Sequence, residues 1–199
     1  TINGATKNAN GRSYLNADKS VYDANAWLIR QINGGLLAVD SFDSAVVFTN
    51  QDLYSAAGSN LAGIAPMLGT CMKGSRAFLV EDGFALDSAM VFAHELGHNL
   101  GLPHDADNNP TGSALCQDST NYIMSTSQKT TNMQNAFYFS PCSITKLISI
   151  IVTDNKLSCL ANRYSFPSDI STLLEQFYPG QLYNLTEQCR SRFGSDYFP

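Results

Sequence analysis

The chain has 199 residues, of which 44% are hydrophobic and 15% charged, with a formal net charge of -5. That is enough apolar material for one core-forming domain with a short appendage, and it excludes a disordered chain. No basic cluster appears anywhere, which argues against a nucleic-acid partner.

Thr1 to Ser13 is polar and lacks the apolar centre of a signal peptide. No apolar run reads as long enough to span a bilayer. Residues 1–17, rich in Asn, Gly, Thr and Ala, read as irregular or edge structure. Asp18 is a candidate helix cap. Val21, Ala24, Leu28 and Ile32 then recur at helical spacing until Gly34-Gly35 stops the run. Ala45 to Thr49 is a short apolar, partly β-branched stretch and predicts a buried strand. Leu61 to Ala65 and Arg76 to Val80 are two further strand candidates.

From Asp87 to Leu100 the apolar residues Met90, Val91, Leu96 and Leu100 predict a helix, which Gly101 ends. A polar loop is expected from Pro103 to about Ser140, and a loop of that length is usually functional. Ser143 is the expected cap of a last helix with Ile144, Leu147, Ile148 and Ile151 on one face. Ser165 to Ser168 reads as a linker, Asp169 to Tyr178 as a short helix and Pro179-Gly180 as a turn.

The predicted helix contains His94-Glu95-Leu96-Gly97-His98 and continues through Gly101 to His104-Asp105. His94 and His98, four apart, fall on one face of a helix, one turn apart. Two imidazoles so placed can share a Zn²⁺ at about 2.0–2.1 Å. Glu95 lies beside that face, where it can act as a base toward water at the metal instead of as a ligand. Gly101 allows a sharp reversal that brings His104 in as a third ligand. Three protein ligands leave a position open, as in catalytic zinc sites. The chain contains three histidines, and all of them lie in this motif. Scattered core or solvated histidines would meet this spacing only by accident.

Cys71, Cys116, Cys142, Cys159 and Cys189 are widely spaced, with no C-x-x-C pair. They read as disulfides of an oxidising compartment or as buried free thiols. The odd count leaves one without a partner in the chain. Asn184-Leu185-Thr186 is an N-glycosylation acceptor and agrees with a secreted, extracellular location.

The extended histidine motif resembles that of the metzincin metalloproteases. Asp105 directly after the third histidine is similar to the adamalysin (reprolysin) branch, which includes the ADAM and ADAMTS-like enzymes. The resemblance covers about residues 18–162. It implies an α/β (α+β) fold, with a mixed twisted sheet over the active-site helix and a small helical C-terminal subdomain. It implies a secreted zinc endopeptidase acting on extracellular proteins or peptides, with one catalytic Zn²⁺ and Glu95 as general base.

Tyr122-Ile123-Met124-Ser125 resembles the family's methionine turn, with Met124 as a floor beneath the ligands. By itself Met124 also reads as an ordinary core residue. Gly63-Ile64-Ala65 resembles the edge strand on which substrate lies as an added antiparallel strand. By the same resemblance Cys71 pairs with Cys159 and Cys116 with Cys142. A structural Ca²⁺ is implied on Asp43, the Cys159 carbonyl and Asn162, although Asp43 alone is equally a surface carboxylate.

Residues 1–162 are thus expected to form the catalytic domain, 163–178 a linker and 179–199 the start of a disintegrin-like domain. The family's opening strand and long helix are not found before residue 18. No membrane span is expected, and the chain is expected to be a monomer. The rival reading is a catalytically incompetent fragment that binds proteins through its disintegrin-like tail.

Overall fold

Four consecutive buried residues, Ala77 to Val80, mark the strand around which the fold is organised. The computed structural model describes residues 13–56, 58–83, 87–107, 114–127, 129–161 and 184–196. In chain order these begin with β1 (Tyr14–Asn16), α1 (Ala17–Asn33), β2 (Ala45–Thr49), β3 (Asp52–Ser55) and β4 (Gly58–Leu61). They continue with β5 (Gly63–Ile64), β6 (Ala77–Glu81), α2 (Asp87–Asn99), α3 (Pro141–Val152) and α4 (Leu185–Phe193).

The architecture is mixed α/β. β6 is central in one group of three strands, parallel to β2 and antiparallel to β5. Ile64 faces Leu79 across the β5–β6 ladder. A second group has β3 between parallel β1 and antiparallel β4. The groups adjoin where the Glu81 N–H donates to the Ala62 carbonyl and the Leu53 N–H to the Glu81 carboxylate. β1 corresponds to the edge structure expected near residue 17, whereas β3 is absent from the sequence reading. The candidate strand from Leu61 to Ala65 is divided at Ala62 between β4 and β5.

Successive side chains of a strand point to opposite faces, so β6 is covered twice. Leu79 packs with Ala17 of α1 and Leu53 of β3, with Val21 and Ala24 against them. Phe78 instead meets Phe92 of α2 at 5.7 Å between ring centroids. On the α1 side, Asn25 accepts from the Ala77 N–H at 2.8 Å and donates to the Ala77 carbonyl at 3.0 Å. A side-chain amide thus replaces one residue of a neighbouring strand.

Two caps differ from expectation. α1 is capped by Asn16, which accepts from the Lys19 N–H, while Asp18 lies inside the first turn, where a carboxylate favours the helix dipole. α3 is capped by Ser140, with Pro141 opening the helix, and Ser143 is buried in its first turn. The Ser140 hydroxyl accepts from the Ser143 N–H, which places Ser143 inside the helix, with its own hydroxyl on Asp105.

The segment from Pro103 to Ser140 is less irregular than expected. It carries 3₁₀ turns at Ala114–Cys116, Asp118–Thr120 and Met133–Phe137. Two disulfides, Cys71–Cys159 and Cys116–Cys142, join the pairs that the resemblance implies. The first joins the segment between β5 and β6 to the chain beyond α3, 88 residues on, and the second fastens the segment from Pro103 to Ser140 to α3. Each such link typically stabilises by about 2–4 kcal/mol.

Among the described residues, Met133–Val152 matches a membrane-crossing helix in length and composition over 20 residues, which the sequence reading did not anticipate. It is not one helix. Tyr138 is extended and Ser140 caps a new start. The 12 residues of α3 rise about 18 Å, short of the roughly 30 Å of a hydrocarbon core.

α4 lies within the expected disintegrin-like tail and opens with a capping box between Asn184 and Glu187. The helix read at Asp169 to Tyr178 and the linker 163–178 lie outside the described residues.

Candidate metal centre

α2 supplies two of the three histidines on one face. Its end is built by Gly101, whose φ of +98° disfavours a β-carbon residue. The Gly101 N–H donates to the His98 carbonyl and the Leu102 N–H to the Gly97 carbonyl, so the chain folds back tightly. Leu102 is buried by this reversal, and His104 arrives opposite the helix.

The ligating atoms of His94, His98 and His104 lie within 4.8 Å of one another. Nε2 of His98 and Nε2 of His104 are 3.2 Å apart. Two nitrogens about 2.0–2.1 Å from a tetrahedral ion stand about 3.3 Å apart, so this spacing fits zinc. The Nδ1 atoms of His94 and His98 are occupied. His94 Nδ1 bonds the Ile123 carbonyl at 2.6 Å, and His98 Nδ1 bonds the Leu102 carbonyl at 2.8 Å. An Nδ1–H donated to a carbonyl leaves the Nε2 lone pair for a metal. Burial lowers the pKa of both groups, that of His98 to about 4. Neutral imidazoles facing one another with lone pairs inward suit a cation.

Two side chains close on α2. Glu95 is buried, and burial pushes its carboxyl up to about 8. Its carboxylate lies against Gly63 of β5, where a Cβ would stand 2.8 Å from Oε1. Met124 lies beneath the helix at Gly97, where a Cβ would stand 2.4 Å from Sδ. Gly97 thus leaves the methionine room against the helix.

The surrounding supports were not legible in the motif. Asn99, wholly buried, accepts from the hydroxyls of Ser44 and Thr70 and donates to the carbonyls of Pro66 and Ser75. All four of its hydrogen-bonding positions are filled. Asp105, noted in sequence only as a branch marker, is also wholly buried. Its Oδ1 accepts from Ser140 and Ser143, and its N–H donates to the Met124 carbonyl. It therefore links the third histidine, the methionine turn and the start of α3.

The centre opens into a cleft of ≈ 750 Å³. Gly63, Ile64 and Ala65 form one side of it and Ser125 to Ser127 another. Asp43 and Cys159, two of the three implied calcium ligands, are brought near each other. The Cys71 N–H donates to the Asp43 carbonyl, and Cys71 is bonded to Cys159. Asn162 lies outside the described residues. Asn184 caps α4, and Cys189 is the free cysteine.

A sequence model of metallo-peptidase family M12, of the reprolysin type, matches residues 3–140. The chain is 31% identical over 174 residues to human A disintegrin and metalloproteinase with thrombospondin motifs 16, an alignment covering 82% of this chain and 13% of that protein. It is 29% identical over 188 residues to the human protein numbered 6 in the same series, covering 90% of this chain and 16% of that one. It is 31% identical over 186 residues to the Caenorhabditis elegans protein of that name designated adt-1, covering 90% and 12%. The chain thus spans only 12–16% of the length of these relatives. The chain belongs to metallo-peptidase family M12, as an ADAMTS-like member of the metzincins.

Proposed function

We propose that the protein is a secreted endopeptidase that hydrolyses peptide bonds of extracellular proteins, with zinc on His94, His98 and His104 and with Glu95 as general base. The reading rests most on one observation: ring nitrogens of three histidines converge in the cleft that also holds a buried carboxylate lying against strand β5. It accords with the metzincin arrangement of a sheet above an active-site helix.

Zinc, when bound, lowers the pKa of water and polarises a carbonyl. The remaining work falls to side chains and backbone. β5, at an edge of its strand group, aligns an extended substrate as an additional antiparallel strand. Glu95 takes a proton from the attacking water on its carboxylate and returns it to the departing amine nitrogen. The carbonyls of Ile123 and Leu102 hold the rings of His94 and His98 in place throughout. Met124 excludes solvent from below.

Secretion is supported by the two disulfides and by the acceptor Asn184 at the start of α4. We further propose that Asp43, the Cys159 carbonyl and Asn162 hold a structural calcium ion. Metal content measured with casein cleavage tests the main reading. One zinc per chain, with cleavage abolished by a chelator and restored by zinc, is the expected result. A folded chain that binds no zinc contradicts it.

A further inference from the structure

The segment after the third histidine is closed into a loop by two side chains at its base. Asp118 Oδ1 accepts from the Thr126 N–H at 2.5 Å. Asp118 Oδ2 accepts from the Thr126 hydroxyl at 2.5 Å and from Lys129 Nζ at 3.0 Å. Lys129 Nζ also donates to the Asp118 carbonyl. One helical turn on, Asn121 is buried in the left-handed region, with φ of 61°. Its Oδ1 accepts from the Lys129 N–H at 2.8 Å, and its Nδ2 donates to the Lys129 carbonyl at 3.1 Å. Asn121 thus bonds the Lys129 backbone as a neighbouring strand would, while Asp118 grips both Thr126 and the Lys129 side chain.

What this clamp encloses is part of the site. Ile123, whose carbonyl holds His94, lies inside it, as does Met124. So do Ser125, Thr126 and Ser127, which form one wall of the cleft. Among the described residues, both hydrogen bonds of Thr126 go to Asp118. Asp118 is thus the side chain that holds Thr126 in this wall, while Asn121 holds the Lys129 backbone beyond it.

We propose that Asp118 is a positioning residue that fixes the Ser125–Ser127 wall through Thr126 and so selects the size of the substrate side chain entering the cleft. This rests on the peptidase reading above. Burial alone would raise the Asp118 pKa, but the bonds from Thr126 and Lys129 outweigh it and hold the carboxyl below its ordinary value. The grip therefore persists at neutral pH. Asp118 does not reach the reacting atoms. Its influence passes through backbone.

The test uses the zinc-loaded chain and two measurements. The first is hydrogen exchange of the Thr126 amide. The second is kcat/KM for two peptides that differ only in leucine or alanine at one position beside the scissile bond, chosen so that the unaltered protein prefers leucine. Asp118→Ala is expected to lower Thr126 protection and the leucine preference each by about tenfold, the effect of losing hydrogen bonds to a charged group. Thr126→Val keeps the amide donor and removes the hydroxyl bond, and should lose less preference. It serves as the second variant should Asp118→Ala fold poorly. A role limited to stability would lower cleavage of both peptides equally.

Thr126 protection unchanged in Asp118→Ala contradicts the clamp. Protection lost with the preference intact to within about twofold contradicts selection. If the unaltered protein discriminates at no position, selection is likewise overturned. If it cleaves neither peptide, the peptidase reading fails, and the inference fails with it.

Discussion

Gly63 of β5 and Glu95 of α2 are in direct contact: a Cβ at residue 63 would stand 2.5 Å from Glu95 Cγ and 2.8 Å from its Oε1. The strand proposed to align substrate and the proposed base are therefore one mechanical unit. Gly63→Ala forces the carboxylate aside without touching a histidine. Its kcat/KM should fall about tenfold to a hundredfold, part of the worth of a general base, with zinc content unchanged. Loss of zinc in this variant would show that the contact serves the metal site and not the base.

Gly97 and Met124 offer a parallel case beneath the helix. A Cβ at residue 97 would stand 2.4 Å from Met124 Sδ and 3.3 Å from Phe139. Overpacking of this kind costs about 1–3 kcal/mol. Gly97→Ala should lower the denaturant midpoint accordingly. In the double variant Gly97→Ala/Met124→Ala the loss should be smaller than the sum of the single losses, because the two residues share one space. Additive losses would place the strain elsewhere.

The motif was readable because its logic is local. His94 and His98 share a face by helical period, and Gly101 with His104 follows from the reversal that a left-handed glycine permits. What holds the histidines was not readable. The carbonyls of Ile123 and Leu102 have no side-chain signature, and Ile123 lies 29 positions beyond His94 in the chain. Asn25 stands in for a strand partner of Ala77 across 52 residues, a distance at which sequence pattern is silent. The cap of α3 falls on Ser140, whose hydroxyl accepts from the Ser143 N–H and also bonds buried Asp105, with Pro141 opening the helix. The central strand β6 and helix α2 were legible from apolar runs. The short strands β1 and β3 carry too few residues to show a period.

Asn99 follows from the same long-range packing. Asn99→Ala leaves two hydroxyls and two carbonyls at the end of α2 without their partner. Unpaired buried groups cost about 1–3 kcal/mol each, and partial rearrangement limits the total to about 3 kcal/mol. For a domain of this size that lowers Tm by about 6–12 °C. A thermal melt checks it, and a shift of under about 2 °C would mean the network reorganises freely.

The Asp118 carboxyl has a pKa below its ordinary value of 3.8 in the folded chain. Between the lowered value and 3.8 the unfolded chain binds more protons, so stability rises with pH there. The contribution is complete above the ordinary value and is lost as pH falls through the lowered one. The stability difference between the unaltered chain and Asp118→Asn should therefore be constant from neutral pH to about pH 5 and shrink below pH 4. Denaturant titrations of both chains across that range measure it. A difference that grows on acidification contradicts the assignment.

The most direct measurement compares peptide hydrolysis by the unaltered chain and by Glu95→Gln at matched zinc content. The glutamine keeps the shape of Glu95 but cannot carry a proton between water and the leaving amine. Removing a positioned general base typically costs about 10²–10⁴ in rate. The expected result is a loss of that size in kcat with one zinc per chain in both proteins. Hydrolysis by Glu95→Gln at the unaltered rate, abolished by a chelator, would contradict the role of Glu95 as base.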